Sequence, residues 1–159
     1  MNPTHPLIRT ATTADVPALA QLVEQYWSFE GIQGFGARRI ESLLQAALFT
    51  DGRARCWLAE QAGKLGGYLL AVLVFSLEHG GTMAEIDEFF VSPAFRRRGI
   101  GAALLLQAES TLRESGVRRL QLQLGAGNEH ARDFYSARAY GRRAGFELWD
   151  KPLTPPLAD

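Results

Sequence analysis

Residues 88–101 read Glu-Phe-Phe-Val-Ser-Pro-Ala-Phe-Arg-Arg-Arg-Gly-Ile-Gly, and no other stretch constrains the chain as tightly. Residues 84–91 have strand composition, with Ile86, Phe89, Phe90 and Val91 among acids. Pro93 ends the pairing, because proline has no N–H to donate. Gly99 and Gly101 then open a helix with Ile100, Leu104, Leu105, Ala108 and Leu112 on one stripe. A strand that feeds a helix through a glycine turn points backbone N–H groups and the positive helix end at one spot. That arrangement suits a diphosphate. A side chain at 99 or 101 would stand between the backbone and the phosphates. Two commoner nucleotide loops are excluded. The dinucleotide fingerprint needs a third glycine at 104, where Leu104 stands, and the ATP-type loop needs Gly-Lys-Ser/Thr, which the chain lacks.

The rest of the chain supplies elements to pack around this unit. Residues 7–10 form a short strand. Thr12 or Thr13 caps a helix that starts near Ala14, with Asp15 in its first turn and Val16, Leu19, Ala20 and Val23 inward. Residues 26–36 carry Tyr26, Trp27, Phe29, Phe35 and three glycines, which break the period and read as a loop. Ile40, Leu43, Leu44, Ala47 and Leu48 mark a second helix, ended by Asp51-Gly52. Strands follow at 56–60 and at 67–77, the latter a nearly unbroken apolar run suited to burial on both faces. Gly116 stops the helix that Gly99 opens. Residues 120–124 alternate as a half-buried strand, 128–138 form a short helix, and 146–149 form a last strand. The order predicts one α/β domain over residues 1–159, with a mixed, mostly antiparallel sheet of about six or seven strands and about four flanking helices. Prolines at 152, 155 and 156 mark a loose tail from about 152.

Composition narrows the partners. Lys+Arg and Asp+Glu stand at 17 each, so no global field draws in nucleic acid or an anionic membrane. The single cysteine, Cys56, allows no internal disulfide and no cysteine-built zinc site; it reads as a small buried hydrophobe beside Trp57. No metal is expected. No signal peptide is visible, and the longest apolar run, near 69–75, is too short to span a bilayer, so the expected compartment is the cytoplasm.

The stretch from Val91-Ser92-Pro93 through Arg96-Arg97-Arg98-Gly99-Ile100-Gly101-Ala102 resembles the acetyl-CoA-binding motif of the GNAT N-acetyltransferase superfamily. A second signature of that family is Asn-x-x-Ala-x-x-Leu/Phe-Tyr, and Asn128-x-x-Ala131-x-x-Phe134-Tyr135 is similar to it. The family then places Gly-Phe where this chain has Ala139-Tyr140. Two motifs in the right order, with matching elements across nearly the whole chain, make a strong joint signal.

The resemblance implies a division of labour. The backbone of Phe89, Phe90 and Val91 would pair with the pantetheine arm and hold the thioester oxygen. Amides across Arg96, Arg97, Arg98, Gly99, Ile100, Gly101 and Ala102 would cradle the pyrophosphate, with arginine side chains as further phosphate partners. Asn128 and Ala131 would border the pantetheine arm, with Asn128 also a helix cap. Tyr135 would protonate the leaving thiolate, since a phenol with a pKa of about 10 keeps its proton at neutral pH. Asp87 and Glu88 resemble the family's acidic pair at the acceptor site, and Glu85 aligns with a base position in one branch. Alternation along the strand sends Glu85 and Asp87 to one face and Glu88 to the other. Tyr26, Trp27, Phe29 and Glu30 would line the acceptor site, where aromatic faces and carboxylates suit a cationic amine.

The expected activity is therefore acetyl transfer from acetyl-CoA to a primary amine of a small molecule, amino acid or peptide. A non-catalytic acyl-CoA sensor and a toxin-like enzyme acting on charged tRNA are the alternatives. The acidic strand and Tyr135 argue against the first, and the neutral charge balance argues against the second. Dimers are common in the family, and the last strand could exchange between two copies.

Overall fold

A computed structural model describes residues 5–154. Two compact parts, one running to Leu122 and the other starting at Gln123, are described in turn. The first comprises β1 (Leu7–Thr10), α1 (Val16–Glu30), α2 (Ala37–Gln45), β2 (Ala54–Gln61), β3 (Lys64–Ser76), β4 (Gly81–Val91), α3 (Ile100–Glu114) and β5 (Leu120–Leu122). The strands lie in sequence order; β1 through β4 pair antiparallel, and β5 joins β4 in parallel.

Local chemistry sets the entry to α1. Thr12 donates its N–H to the Asp15 carboxylate at 2.7 Å, and both Arg9 terminal nitrogens donate to the same carboxylate at 2.8 Å. Arg9 also reaches Glu60 on β2 at 3.1 Å. The Arg9 hydrogen bonds hold the Asp15 carboxyl well below its ordinary range. β1, the helix start and β2 are thereby tied through one guanidinium.

The two sheet faces are covered differently. On one, α1 lays Leu19, Ala20, Leu22 and Val23, and α2 lays Ile40 and Leu44, against Cys56, Leu58, Tyr68, Leu70 and Phe90. On the other, α3 buries Ile100, Leu104, Leu105, Ala108 and Leu112. A fully buried side chain of this kind contributes about 1.5–3 kcal/mol, so these two stripes dominate the stability of this part.

Three expectations for this part are corrected. First, α1 does not stop at Tyr26. It runs through Glu30 and ends at Gly31, whose φ of 67° suits a left-handed cap. The aromatics at 26, 27 and 29 find ring partners on β4 and in the following loop, and packing overrides their modest helix propensity. Second, β3 is buried only over its first half; Val74 and Phe75 near its far end, and Leu77 just past it, are exposed. Third, the second helix ends as a π-helical turn, Ala46–Thr50, before Asp51-Gly52.

The second part holds α4 (Glu129–Ser136). Asn128 caps it, its Oδ1 accepting the Ala131 N–H at 3.0 Å. The expected strand at 146–149 is not formed, so the described residues hold five strands rather than six or seven. Phe146, Leu148 and Trp149 stand exposed there, with no strand to pair with among the described residues of this part. The α/β class and the four helices are as expected. Residues 155–159 of the expected tail lie outside the described residues.

The departure at 139 has a conformational meaning. Ala139 adopts φ of 64°, a left-handed conformation that a glycine takes without strain. The turn is kept, with the Tyr140 N–H donating to the Tyr135 carbonyl at 3.1 Å. Ala139→Gly is expected to raise stability by about 0.5–1 kcal/mol, the relieved strain outweighing the added unfolded-state entropy. Urea unfolding at neutral pH measures it, and a destabilised variant would contradict the strain.

Candidate active site

β4 departs from strict alternation at Asp87. Ile86 lies opposite Ala71 and Glu88 lies opposite Leu70, so Asp87 has no cross-strand partner and forms a bulge. The consequence reverses the expected facing of the acids. Glu85 sits opposite Val72 and Glu88 opposite Leu70, and both partners belong to the α1–α2 face. Cross-strand partners share a face. Glu85 and Glu88 therefore point to the same side, and Asp87 is the residue displaced, exposed on the bulge.

Glu88 is the centre of this face. Trp27 of α1 donates its indole N–H to Oε1 at 2.5 Å, and the Tyr68 hydroxyl of β3 donates to Oε2 at 2.7 Å. Burial pushes the Glu88 carboxyl up from its ordinary value, the two donors pull it down, and Asp87 adds a smaller upward push. Burial and the adjacent Glu88 drive Tyr68 strongly upward, so its phenol is a permanent donor here. Around the carboxylate stand aromatic rings: Phe90 lies 5.5 Å from Tyr26, 6.3 Å from Phe29 and 6.5 Å from Tyr68 between centroids. Tyr26 is raised by burial first and then by Glu30, Glu88 and Asp87, which places its hydroxyl in a negative field.

The glycine turn lies at the end of the same strand. The β4–β5 ladder ends at Ile86–Leu122, while β4 continues against β3 to Val91. Ser92 then donates its N–H to the Gly66 carbonyl at 2.8 Å. A methyl group at Gly66 would come 2.3 Å from the Phe95 ring, so that glycine is what lets the Pro93–Phe95 turn seat on β3. Gly99 takes φ of 72° as N-cap of α3. The helical ladder begins with the Ala103 N–H on the Gly99 carbonyl at 3.0 Å, so the N–H groups of Ile100, Gly101 and Ala102 fall outside it. Those three donors, the helix dipole and a nearby arginine run fit a diphosphate.

The three arginines divide. Arg96 turns back: its Nε donates to the Val91 carbonyl at 2.9 Å, and its guanidinium lies 4.6 Å from the Phe29 ring and 5.9 Å from Phe90. Arg98 donates to Gln61 on β2 at 3.0 Å. Arg97 holds φ of 61°, a strained value for a residue with a side chain, at the bend of the loop.

Within the first part, then, the fold gathers Tyr26, Trp27, Phe29, Glu88, Phe90 and Arg96 at one place. Glu85 accepts from Gln121 of β5 at 2.7 Å, further along β4. Phe89 lies opposite Leu69, on the α3 side. Glu30 is the last residue of α1. Asn128 caps α4 in the second part and Ala131 and Tyr135 lie on it; there Tyr135 packs edge-on with Phe134 and Tyr140 at 5.2 and 5.3 Å. Sequence reading missed Tyr68. Its signal was a lone hydroxyl inside a buried apolar run, which must find an acceptor. Among the described residues no His/Cys/Asp/Glu cluster could hold a metal, and no helix is long and apolar enough to cross a membrane.

Comparison with known proteins bears on the family and the fold. The model of the acetyltransferase (GNAT) family matches residues 17–141. The uncharacterized N-acetyltransferase YhfO of Bacillus subtilis (strain 168) is 30% identical over 139 residues, 87% of this chain and 92% of that protein. The aminoalkylphosphonate N-acetyltransferase of Salmonella typhimurium (strain LT2) is 28% identical over 84% of this chain and 83% of its own length. Among solved structures, a probable acetyltransferase aligns with a TM-score of 0.84 at 21% identity, covering 94% of this chain and 99% of that one. A predicted acetyltransferase of Clostridium acetobutylicum, solved with acetyl-CoA, aligns with a TM-score of 0.76 at 14% identity over 91% and 96%. The glycine turn on α3 and the acid-bearing β4 thus sit in a chain that belongs to the acetyltransferase (GNAT) family, and the protein is an N-acetyltransferase.

Proposed function

We propose that the protein transfers an acetyl group from acetyl-CoA to a primary amine of a small molecule, amino acid or peptide. The observation that carries the reading is the Glu88 carboxylate, desolvated and hydrogen-bonded at the end of the strand that runs into the diphosphate-type turn. Acetyl-CoA supplies the activated acetyl group. The Ile100, Gly101 and Ala102 N–H groups would hold its pyrophosphate, and the Phe89 to Val91 backbone would hold its pantetheine arm.

The acceptor must be made neutral before it can attack. An alkyl ammonium with a pKa of about 10.4 is neutral in only about one molecule in a few thousand at pH 7. Glu88 takes that proton, directly or through one water, and Asp87 on the bulge adds negative charge beside it. A carboxyl raised by burial is a stronger base than an exposed one, which favours this role. Tyr26, Phe29 and Phe90 offer ring faces to a cationic amine, and Glu30 and Glu85 supply more distant negative charge. Tyr135 of the second part gives its proton to the departing thiolate. The cytoplasm is the proposed compartment, and a homodimer the proposed assembly.

Three variants separate these roles. Glu88→Gln is expected to lower kcat roughly a hundredfold or more with acetyl-CoA affinity kept, since general bases contribute at about that level. Steady-state kinetics on an amine panel, with free-thiol detection, reads the change; unchanged kcat would remove Glu88 as base. Gly101→Glu places bulk and negative charge at the first turn of α3 and should weaken acetyl-CoA binding by roughly a hundredfold. Calorimetry showing wild-type affinity would place the pyrophosphate elsewhere. Tyr135→Phe should cut turnover roughly a hundredfold and leave acetyl-CoA binding near wild type. Wild-type turnover at every pH would reject it as the acid.

A further inference from the structure

Trp27 does more than wall the acceptor end. Its N–H is committed to Glu88, and its ring is committed on the other side to the loop between α1 and α2. A methyl group at Gly34 would lie 1.9 Å from Cε3 and 2.3 Å from Cζ3 of the indole, so the Gly34 backbone rests directly on the ring. Phe35 meets the same indole edge-on, with centroids 6.3 Å apart, and Arg39 of α2 lies 5.9 Å over Phe35. Gly34 does not adopt a left-handed φ, so the need for glycine there comes from the indole and not from the backbone.

We infer that Trp27, pressed into place by Gly34 and Phe35, is a positioning residue that holds the Glu88 carboxylate in its working orientation, with Tyr68 as the second arm of the clamp. The inference rests on the reading of Glu88 as base. One donor sits on each carboxylate oxygen, from α1 on one side and β3 on the other, and this fixes the plane of the group. A carboxylate on a flexible Glu side chain otherwise samples several rotamers, and misplacement of about 1 Å is costly to a proton transfer. The loop thus acts on the chemistry through a chain of contacts, Gly34 to Trp27 to Glu88.

The electrostatics favour the same role. The groups that face Glu88 are Tyr26 and Trp27 from α1, Tyr68 from β3, Cys56 from β2 and its neighbour Asp87 on β4; Glu30 acts on Tyr26 from the end of α1, and Arg96 lies over Phe90. The Trp27 and Tyr68 hydrogen bonds favour the charged carboxylate, against burial and Asp87. Removing the Trp27 donor therefore moves the Glu88 titration upward, and the base is protonated over a wider acid range.

The test uses the full-length protein with carbon-13 labelled glutamate. Trp27→Phe removes the N–H donor and keeps an aromatic ring, although a smaller one than the indole that Gly34 and Phe35 pack against. The expected result is a Glu88 carboxyl titration displaced to higher pH, identified by the signal that Glu88→Gln deletes. In kinetics, kcat falls roughly three- to tenfold, and the ratio of kcat/KM at about pH 8 to that at about pH 6 grows roughly threefold. Gly34→Ala, which leaves the indole chemically intact, moves both readouts the same way. An unmoved Glu88 titration in both folded variants overturns the inference. So does a raised acceptor KM with an unchanged pH profile, which would make Trp27 an acceptor-binding face instead. If Glu88→Gln keeps full activity, the base reading fails, and the carboxyl titration alone still decides whether Trp27 holds the group.

Discussion

The β3–β4 ladder and its one bulge organise the candidate site. By inserting Asp87 without a partner, β4 changes which side its later residues face, and Glu88 joins Glu85 on the α1–α2 side. Without that extra residue Glu88 would point toward α3, away from Trp27 and Tyr68. With it, the carboxylate meets Trp27 and Tyr68. The same ladder carries β4 on to Val91, where Gly66 of β3 seats the turn that leads into α3. The proposed base and the turn that leads into α3 are held by one strand pair.

The energetics of Glu88 turn on a near-balance. Taking a carboxylate out of water costs several kcal/mol. Hydrogen bonds to a charged group return about 1.5–3 kcal/mol each. Two donors therefore offset most of the cost and leave the carboxyl raised, as its direction of shift shows. A fully compensated carboxylate would be a poor base, and an uncompensated one would stay protonated. The intermediate condition, set by burial against one indole and one phenol, suits the base role proposed for Glu88.

Much of this was legible before any fold was known. Pro93, Gly99 and Gly101 act through their own backbones, so the strand–turn–helix unit and its N–H cradle follow from local chemistry. The stripes of α1, α2 and α3 were readable because a helix places every third or fourth residue on one side. The α1–α2 boundary was not. Tyr26, Trp27 and Phe29 look like a broken pattern in sequence, yet they continue the helix because Phe90 and Phe35 pack against them. The apolar stretch at 146–149 looked like a strand, but a strand exists only with a partner, and among the described residues of that part none is formed.

The sequence by itself determined the family motifs, the element order, the glycine turn on α3 and the presence of acids in β4. These depend on residues within a turn or two of each other. Only the tertiary structure decided what surrounds Glu88. Trp27 is 61 positions away and Tyr68 is 20, and the face that Glu88 presents to them depends on a bulge set by pairing with β3. A single unpaired residue in a strand leaves no mark in composition, yet it reverses every side chain that follows.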